Sequence, residues 1–373
     1  MLTRVLISGG GVAGLSLAHG LQKAGIPVHV FERDPTIERS ARPYAMRVTQ
    51  DVKESLKSIL SPEMYNQLVQ SSAEVGRDSL HQDGGATVLP AVDRTVLRKL
   101  LLSTLEGNVS FEKELVHYTM TNDGVTVHFK DGSCERGTIL VGADGTQSPV
   151  RSQYLPDLQL LDTEGRLIWG KSPMSDELRQ QLVSDLKNGV PDHISNESTT
   201  LIVLPIVFDK TNPLAPEDYV SWILCTNKSN TILSDYEFSS MPQNEAARLS
   251  IELTGALDLS NNSARLKAAI LEIQDPRHTT TYVLASALLE WYLEPWEASR
   301  VTLVGDAIHP LGMGAGGGAA LKDVKTLLRL FMEQGVNKDS IRKYENSMRE
   351  RVKPLLRMAA ARGHMLFNQP QIV

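Results

Sequence analysis

Near its start the chain carries glycines at a spacing that can bind a dinucleotide, Gly9-x-Gly11-x-x-Gly14, with Val12 and Ala13 inside the turn. The first glycine permits a tight turn, the second lets the backbone approach a pyrophosphate without a Cβ in the way, and the third lets a helix pack closely. That helix offers free N–H groups and its positive end to the phosphates. Glu32 follows about 20 residues on, where a carboxylate can accept hydrogen bonds from both ribose hydroxyls. We therefore predict a dinucleotide site, and the charge of Glu32 disfavours a 2′-phosphate there.

A second candidate is the run Gly142-Ala143-Asp144-Gly145, with Ser148 and Arg151 beyond it. The run follows a predicted buried strand, so Asp144 stands at a strand's carboxyl end, where ligands gather in open α/β sheets. The same residues are also typical of an ordinary Asp-Gly turn. Spacing alone leaves both interpretations open.

A third candidate is Val304-Gly305-Asp306-Ala307-x-His309-Pro310, followed by a glycine-rich run over 312–320 and a helix that carries Asp323. Asp306 ends another predicted strand and would bring a second carboxylate to the same sheet edge. The glycine run leads into a helix N-terminus, which favours anions. A mobile glycine loop is an equal interpretation of this run, and an isolated histidine such as His309 is more often structural than catalytic.

The elements around these motifs predict an α/β fold. A strand over 4–8, a helix over 13–24 and a second strand over 27–32 form a βαβ unit. A hairpin with a strand over 126–129 leads to a buried strand over 138–142. The residues from about 160 to 284 have a pattern typical of strands, and residues 301–304 are predicted to form a further buried strand. Residues 321–334 are predicted to form a helix, and residues 339–365 a pair of helices.

Composition narrows the class of protein. The hydrophobic and charged fractions, 41% and 22%, are those of a globular chain. The net charge of −6 is not the net positive charge that is typical of nucleic-acid-binding proteins, so we expect no nucleic-acid partner. Cys134 and Cys225 form neither a disulfide framework nor a zinc pattern, and we expect no metal. No apolar run reaches the ~18 residues of a membrane helix. The strand at residue 4 leaves no room for a signal peptide, which predicts a cytoplasmic location.

Taken together, the three motifs resemble those of the single-component FAD-dependent monooxygenases, the aromatic hydroxylases typified by 4-hydroxybenzoate hydroxylase. Their order is the family's, with Glu32-Arg33 ending the first βαβ unit. Val92-Asp93-Arg94 with Leu97 resembles the family's Arg-x-x-Leu helix start, and Tyr44-Ala45-Met46-Arg47 resembles the strand beside the flavin. The resemblance covers most of the chain and is weakest between about 155 and 280.

The resemblance implies a role for most of these residues. Glu32 would hold the adenosine ribose, Arg94 would contact FAD, and Asp306 would bind its ribityl or pyrophosphate portion. Asp144 with Arg151 would support the cofactor site and a transient nicotinamide path. The remaining cofactor contacts are expected from the Gly9–Gly14 turn, Arg33, Ala45, Gly314, Gly318 and Ala319. The loop after His309-Pro310 is shorter than in the family, and Gly318 occupies the place of an asparagine.

It also implies the reaction. NADH or NADPH would reduce the flavin, reduced flavin and O₂ would give a C4a-hydroperoxide, and one oxygen atom would hydroxylate or epoxidise a small aromatic or polycyclic substrate. The residues leave open an oxidase or dehydrogenase on the same scaffold, and a non-catalytic nucleotide-binding protein. The halogenases' paired-tryptophan motif is absent. Oligomeric state is also open.

No catalytic residue follows from the sequence. Arg47, His309 and Pro310 are candidates for the active site, and His81, Tyr118 and His309 for a base. Trp169, Trp222 and Tyr282 are candidates to line the substrate pocket, although the pattern favours the interpretation that they are core aromatics of a sheet. We predict a discontinuous FAD-binding domain over 1–155 and 285–337, a β-rich substrate domain over 156–284, and a C-terminal helical segment over 338–373.

Overall fold

The computed structural model describes residues 3–36, 45–74, 89–187, 192–208, 216–234, 236–312 and 316–367. These residues form sixteen strands, which are β1 Val5–Ser8, β2 Val28–Phe31, β3 Ala45–Val48, β4 Ala73–Glu74, β5 Leu89–Asp93, β6 Val109–Ser110, β7 Leu115–Met120, β8 Val125–Phe129, β9 Cys134–Gly137, β10 Ile139–Gly142, β11 Leu160–Pro173, β12 His193–Ser195, β13 Thr199–Phe208, β14 Tyr219–Asn227, β15 Thr280–Ala287 and β16 Val301–Leu303.

The same residues form ten α-helices, which are α1 Val12–Lys23, α2 Gln50–Ile59, α3 Pro62–Gln70, α4 Arg94–Ser103, α5 Pro149–Tyr154, α6 Asp176–Lys187, α7 Gln243–Gly255, α8 Asn262–Glu272, α9 Gly316–Gln334 and α10 Lys338–Phe367. None of the helices among these residues combines the length and the apolar character needed to cross a bilayer.

A five-stranded sheet in the order β16-β10-β1-β2-β6 organises the nucleotide-binding half, and its neighbouring strands pair in parallel. β1, β2 and β10 are buried along almost their whole length. The small antiparallel sheet β7-β8-β9 provides part of that cover, since the rings of Phe31 on β2 and Phe129 on β8 lie 4.6 Å apart. The chain leaves β1 toward β2 on one side, while β10 pairs on the other. The crevice between β1 and β10 is therefore a topological switch point, where open α/β sheets bind ligands.

An eight-stranded sheet forms the second half, with β15-β11-β14-β13-β4-β5-β3 in order and β12 paired to β13. Helices α6, α7 and α8 cover one of its faces and bury a core that includes Ile168, Leu201 and Trp222. These three helices interrupt a stretch that we predicted to be strands. Residues 45–93 also supply β3, β4 and β5 to this sheet, although the predicted boundary assigns them to the FAD-binding domain; those boundaries stay a prediction.

The C-terminal segment corrects another expectation. Residues 338–367 form the single helix α10 and not a pair of helices, although Pro354 lies inside it. Pro354 removes one intrahelical donor, but both it and Glu350 are exposed, so the carbonyl left without a partner can be solvated. Val352 and Leu356, on either side, are buried and hold the helix on the core.

Candidate functional site

The three motifs meet at one edge of the parallel sheet. Ser8 of β1 lies beside Gly142 of β10, and Gly142 lies beside Leu303 of β16. The loops that follow these strands therefore stand side by side, as the sequence predicts. Glu32 directly follows β2, the next strand along, so it joins the same edge.

The first loop is shaped by close backbone contacts. Gly9 has φ +106°, and a Cβ there would lie 2.4 Å from the Ala143 carbonyl oxygen. A Cβ on Gly14 would lie 2.0 Å from the Gly9 carbonyl oxygen. A Cβ on Gly11, by contrast, would meet no atom within 4 Å in the part of the chain that the structure describes. The turn is therefore packed against β10 on one side and open to a ligand at Gly11.

The start of α1 is free to bind an anion. Gly11 is its N-cap, no side chain caps the helix, and its first turn contains no acidic residue. The first N–H groups of a helix have no intrahelical partner and carry its positive end. Val12 and Ala13 provide part of this turn, in the position that the sequence predicts.

Glu32 is buried and points into the turn. One carboxylate oxygen accepts a hydrogen bond from the Gly10 N–H at 2.7 Å, and the other accepts one from the Asp34 N–H at 3.0 Å. Each oxygen keeps acceptor capacity, because a carboxylate offers about four lone-pair sites. The adjoining Arg33 is exposed.

Arg98 is a site residue that the sequence analysis missed. It is buried on α4, and its guanidinium donates two hydrogen bonds to the Gly10 carbonyl oxygen, at 3.1 and 2.9 Å. Gly10 is thus held by Glu32 through its N–H and by Arg98 through its carbonyl. The available signal was the position of Arg98 four residues after Arg94, on the same side of one helix.

Asp144 lies under the glycine turn at the end of β10. Its Oδ2 accepts a hydrogen bond from the Ser8 hydroxyl at 3.1 Å, while its Oδ1 is buried and has no hydrogen-bond partner in the described part of the chain. Burial raises the pKa of Asp144, and hydrogen bonds from Ser148 and Ser8 offset only part of that rise. An orphaned buried oxygen at this edge favours a ligand site over the plain Asp-Gly turn.

Arg151 ties the second loop to the third. It is buried on α5, and its guanidinium donates to the Ala307 carbonyl at 3.0 Å and to the Thr146 carbonyl at 2.7 Å. Ser148 caps α5 by accepting from the Arg151 N–H at 2.9 Å. Arg151 therefore fixes the relative position of the two acidic loops.

The third loop brings Asp306 to the start of α9. A Cβ on Gly316 would lie 2.9 Å from Asp306 Oδ1, so the carboxylate is next to the first turn of that helix. The helix begins at Gly316, five residues before the predicted start at 321. The predicted contacts Gly318 and Ala319 therefore lie in its first turn, where Ala319 is buried. The predicted contact Gly314 lies outside the described residues.

The strand that resembles the flavin-side strand of the family packs at the same place. Met46 of β3 lies against the start of α9, since a Cβ on Gly317 would come within 2.8 Å of its sulfur. Ala45 pairs with Asp93, which caps α4 and precedes Arg94. Arg47 belongs to β3 by its backbone, and its side chain lies outside the described residues.

The aromatic candidates for the pocket separate onto two faces of the large sheet. Trp222 is fully buried beneath α8, and its Nε1 donates to Ser172, which corrects its candidacy as a pocket residue. Trp169 and Tyr282 share the opposite face, are half-buried, and form an edge-to-face pair with centroids 6.5 Å apart. Only these two remain candidates for contact with a substrate.

This second face is turned toward the nucleotide-binding half. Lys171 shares it with Trp169, because side chains two residues apart in a strand point the same way. Its ammonium binds Asp93, the cap of α4, at 2.8 Å, and Tyr219 donates to the same carboxylate oxygen at 2.8 Å. Burial raises the pKa of Asp93, but Lys171 and Tyr219 lower it by a larger amount. The pKa of Asp93 therefore lies below its ordinary value.

The two described candidates for a catalytic base, His309 and Tyr118, are buried in the core. His309 is fully buried, with Nε2 2.6 Å from Asp323, and Pro310 beside it is buried. Burial lowers the pKa of His309, but the Asp323 carboxylate raises it by more, so we assign His309 a structural role. Tyr118 is buried in the small sheet β7-β8-β9, and burial raises its pKa to about 12. His81 lies outside the described residues.

Known proteins that are similar to this chain include FAD-dependent proteins, in agreement with a dinucleotide site at this edge of the sheet. Residues 2–170 match the model of a family described as an FAD binding domain. The chain is 31% identical to the dual O-methyltransferase/FAD-dependent monooxygenase CTB3 of Cercospora beticola, over 99% of this chain and 47% of that protein. It is 27% identical to the FAD-dependent monooxygenase dbaB of Emericella nidulans, over 82% of this chain and 80% of that protein.

Among solved structures, 2,6-dihydroxypyridine-3-hydroxylase from Arthrobacter nicotinovorans has a similar fold, with a TM-score of 0.73 at 17% sequence identity. That match covers 100% of this chain and 98% of the other. The chain spans about half the length of the Cercospora relative, at 47%.

Proposed function

We propose that this chain, which belongs to the family of single-component FAD-dependent monooxygenases of the 4-hydroxybenzoate hydroxylase type, inserts one oxygen atom of O₂ into a small aromatic or polycyclic molecule. FAD is the cofactor, and NADH or NADPH is the proposed reductant. The observation that carries the proposal is the convergence of the three motif loops at the β1/β10 switch point.

The residues present fit FAD. Among the described residues, the space beside Gly11 is open, no side chain caps the start of α1, and Asp144 Oδ1 is buried without a hydrogen-bond partner. Glu32 would hold the adenosine ribose, the first turn of α1 the pyrophosphate, and Asp306 the ribityl portion. Arg94, at the first position of α4, lies next to Asp93 and would contact the cofactor from the side of β5.

Replacement of Glu32 tests the adenosine end. Glu32→Gln keeps the size of the side chain but removes its negative charge. That charge strengthens the hydrogen bond from the Gly10 N–H and would strengthen those from the ribose hydroxyls. Loss of charge-assisted hydrogen bonds costs about 1.5–3 kcal/mol, so we expect the Kd for FAD to rise at least tenfold. Equilibrium dialysis measures it, and Glu106→Gln, at an exposed glutamate just beyond the end of α4, is the matched control. Unchanged FAD binding in Glu32→Gln would contradict the assignment.

At the flavin end the protein's work is positioning and electrostatics. Bound FAD supplies the two-electron chemistry and the reaction with O₂. The N-terminus of α9, which begins at Gly316 and has no acidic residue in its first turn, would stabilise negative charge on the ring. Met46 and Gly317, in close contact, form part of the wall that keeps water away from the reacting atoms.

The substrate would bind between the flavin and the second face of the large sheet, the face that carries Trp169 and Tyr282. Leu167, Ile202, Ile223 and Leu284 make this face apolar around Trp169 and Tyr282. The Trp169 indole N–H donates to the Ser221 hydroxyl at 3.1 Å, which fixes the ring as a flat wall. Such a surface suits a planar aromatic molecule.

The proposed activity makes a direct prediction. Purified protein with FAD is offered NADH or NADPH and a panel of phenols and naphthols, while absorbance at the nicotinamide band and an oxygen electrode are recorded. We expect substrate to stimulate consumption of NAD(P)H and O₂ in equal amounts, and to gain one oxygen atom that ¹⁸O₂ labels. Oxygen use without a nicotinamide requirement would indicate an oxidase instead, and failure to bind FAD would refute the proposal.

A further inference from the structure

The turn after β16 is held from beneath by a buried ionic cluster that joins His309 and Asp323 of the third motif to Arg351 of the C-terminal helix. Gly305 has φ +62°, and the Ile308 and His309 N–H groups both donate to its carbonyl, at 3.0 and 2.9 Å. Asp306 stands at the exposed side of this turn, next to Gly316. The position of Asp306 is therefore set by whatever fixes residues 305–309.

Asp323 fixes both ends of that turn. It is fully buried on α9, and its Oδ2 accepts hydrogen bonds from the Gly305 N–H at 2.8 Å and from His309 Nε2 at 2.6 Å. A single carboxylate oxygen thus joins the first and fifth residues of the turn. Charge-assisted hydrogen bonds of this kind are about twice as strong as neutral ones.

The other oxygen of Asp323 binds Arg351, which comes from the C-terminal helix α10. A buried carboxylate is costly unless it is paired, so Arg351 and His309 together make Asp323 tolerable in the core. Burial raises the pKa of Asp323, but His309 and Arg351 lower it below its ordinary value, which keeps the carboxylate charged.

Helix α10 also forms hydrogen bonds with β16, the strand that leads into the turn. The Tyr344 hydroxyl donates to the Leu303 carbonyl at 2.8 Å, and Thr302 donates to Glu345 at 2.9 Å. Tyr292 adds a contact on the other side by donating to the Ile308 carbonyl at 2.5 Å. α10 is thus part of the support of the cofactor loop.

We propose that Asp323 and Arg351 are positioning residues for FAD binding: Arg351 orients the Asp323 carboxylate, and Asp323 holds residues 305–309 so that Asp306 faces the cofactor. The inference rests on the proposed FAD site. It assigns to the C-terminal helix a role in cofactor binding that the motifs at residues 9, 144 and 306 do not suggest.

The test uses the full chain purified with FAD. Arg351→Met, Arg351→Lys and Asp323→Asn are compared with the wild-type protein for the Kd of FAD by equilibrium dialysis and for the visible spectrum of the bound flavin. Folding is followed by far-ultraviolet circular dichroism at saturating FAD. Arg342→Met is the matched control, because Arg342 lies on the same helix in an exposed pair with Asp339.

We expect Arg351→Met and Asp323→Asn to raise the Kd on the order of tenfold or more and to shift the spectrum of the flavin that stays bound. Arg351→Lys should recover part of the affinity because it restores the charge, and Arg342→Met should match the wild type. If Arg351→Met does not fold, Asp323→Asn decides: wild-type affinity and a wild-type flavin spectrum in that variant would overturn the proposal. Failure of the wild type to bind FAD would instead refute the proposed function.

Discussion

Gly11→Ala is expected to raise the Kd for FAD at least tenfold while the unfolding temperature without added FAD stays within about 1 °C of the wild type. Gly11 has φ −73° and ψ −178°, an extended conformation that alanine adopts without strain. Its Cβ would meet no atom of the described residues within 4 Å, so this part of the fold has room for it. The added methyl group would occupy the space through which the backbone approaches the pyrophosphate.

The third glycine of the motif is expected to behave in the opposite way. A Cβ on Gly14 would lie 2.0 Å from the Gly9 carbonyl oxygen, so Gly14→Ala must displace backbone and should lower the free energy of unfolding by about 1–3 kcal/mol even without FAD. Urea unfolding with and without FAD separates the two variants.

A third alanine provides the control. Gly255 ends α7, far from the site in the fold, and a Cβ there also meets nothing within 4 Å. Gly255→Ala should leave FAD binding unchanged. If Gly11→Ala bound FAD as tightly as Gly255→Ala does, the glycine turn could not be the pyrophosphate site, and the proposed function would lose its main support.

The sequence was sufficient for the nucleotide-binding edge because its determinants are local. The strand, turn and helix around Gly9 to Gly14 lie within one βαβ unit, and each residue's role follows from its neighbours in the chain. Asp144 and Asp306 could be placed at the same edge because each ends a buried strand. Their convergence needed only the rule that parallel strands present their carboxyl ends together.

Contacts between segments that are distant in the chain could not be predicted from the sequence in the same way. Arg98 reaches Gly10 across 88 positions, and Arg151 reaches Ala307 across 156, with no periodic pattern to announce either pair. Trp169 and Trp222 both lie in apolar strands. Their side chains can be assigned to opposite faces of the sheet only when the pairing of these two strands is known.

The helices that cover one face of the large sheet were missed for a related reason. α6 carries many polar residues and α7 and α8 are only modestly amphipathic, so their helical periodicity is weak beside the strong strand signals around them. The face that they cover is decided by tertiary packing, through the core that contains Leu249 and Ile270. That choice also leaves Trp169 and Tyr282 available to a substrate.

The buried carboxyl of Glu345 should make the stability of the protein fall as the pH rises from about 5 to 8. Glu345 is 4% exposed on α10 and accepts hydrogen bonds from Thr302 at 2.9 Å and Tyr154 at 3.2 Å. Burial raises its pKa to about 8, and the hydrogen bonds from Thr302 and Tyr154 offset only part of that rise. In the unfolded chain the pKa returns to about 4.3.

The sign follows from proton counting. Between these two pKa values the folded protein holds a proton that the unfolded chain has released, so the free energy of unfolding decreases with rising pH by about 1.4 kcal/mol per unit from this group. The contribution is complete below about pH 4.3 and is lost as the pH passes the folded value near 8.

Glu345→Gln replaces the protonated acid with a neutral group of the same shape, so its unfolding free energy should lose this slope and exceed that of the wild type by about 2 kcal/mol or more at pH 8. Urea titrations at pH 5, 6, 7 and 8, followed by circular dichroism, measure the slope. Glu350→Gln is the matched control, because Glu350 lies on the same helix in a pair with Lys353 and its side chain is 70% exposed. Exposed pairs contribute little to stability, so this variant should keep the wild-type slope. Parallel slopes in both variants would show that Glu345 is ionised in the folded protein, and that the polar contacts of α10 with β16 are made by a charged group.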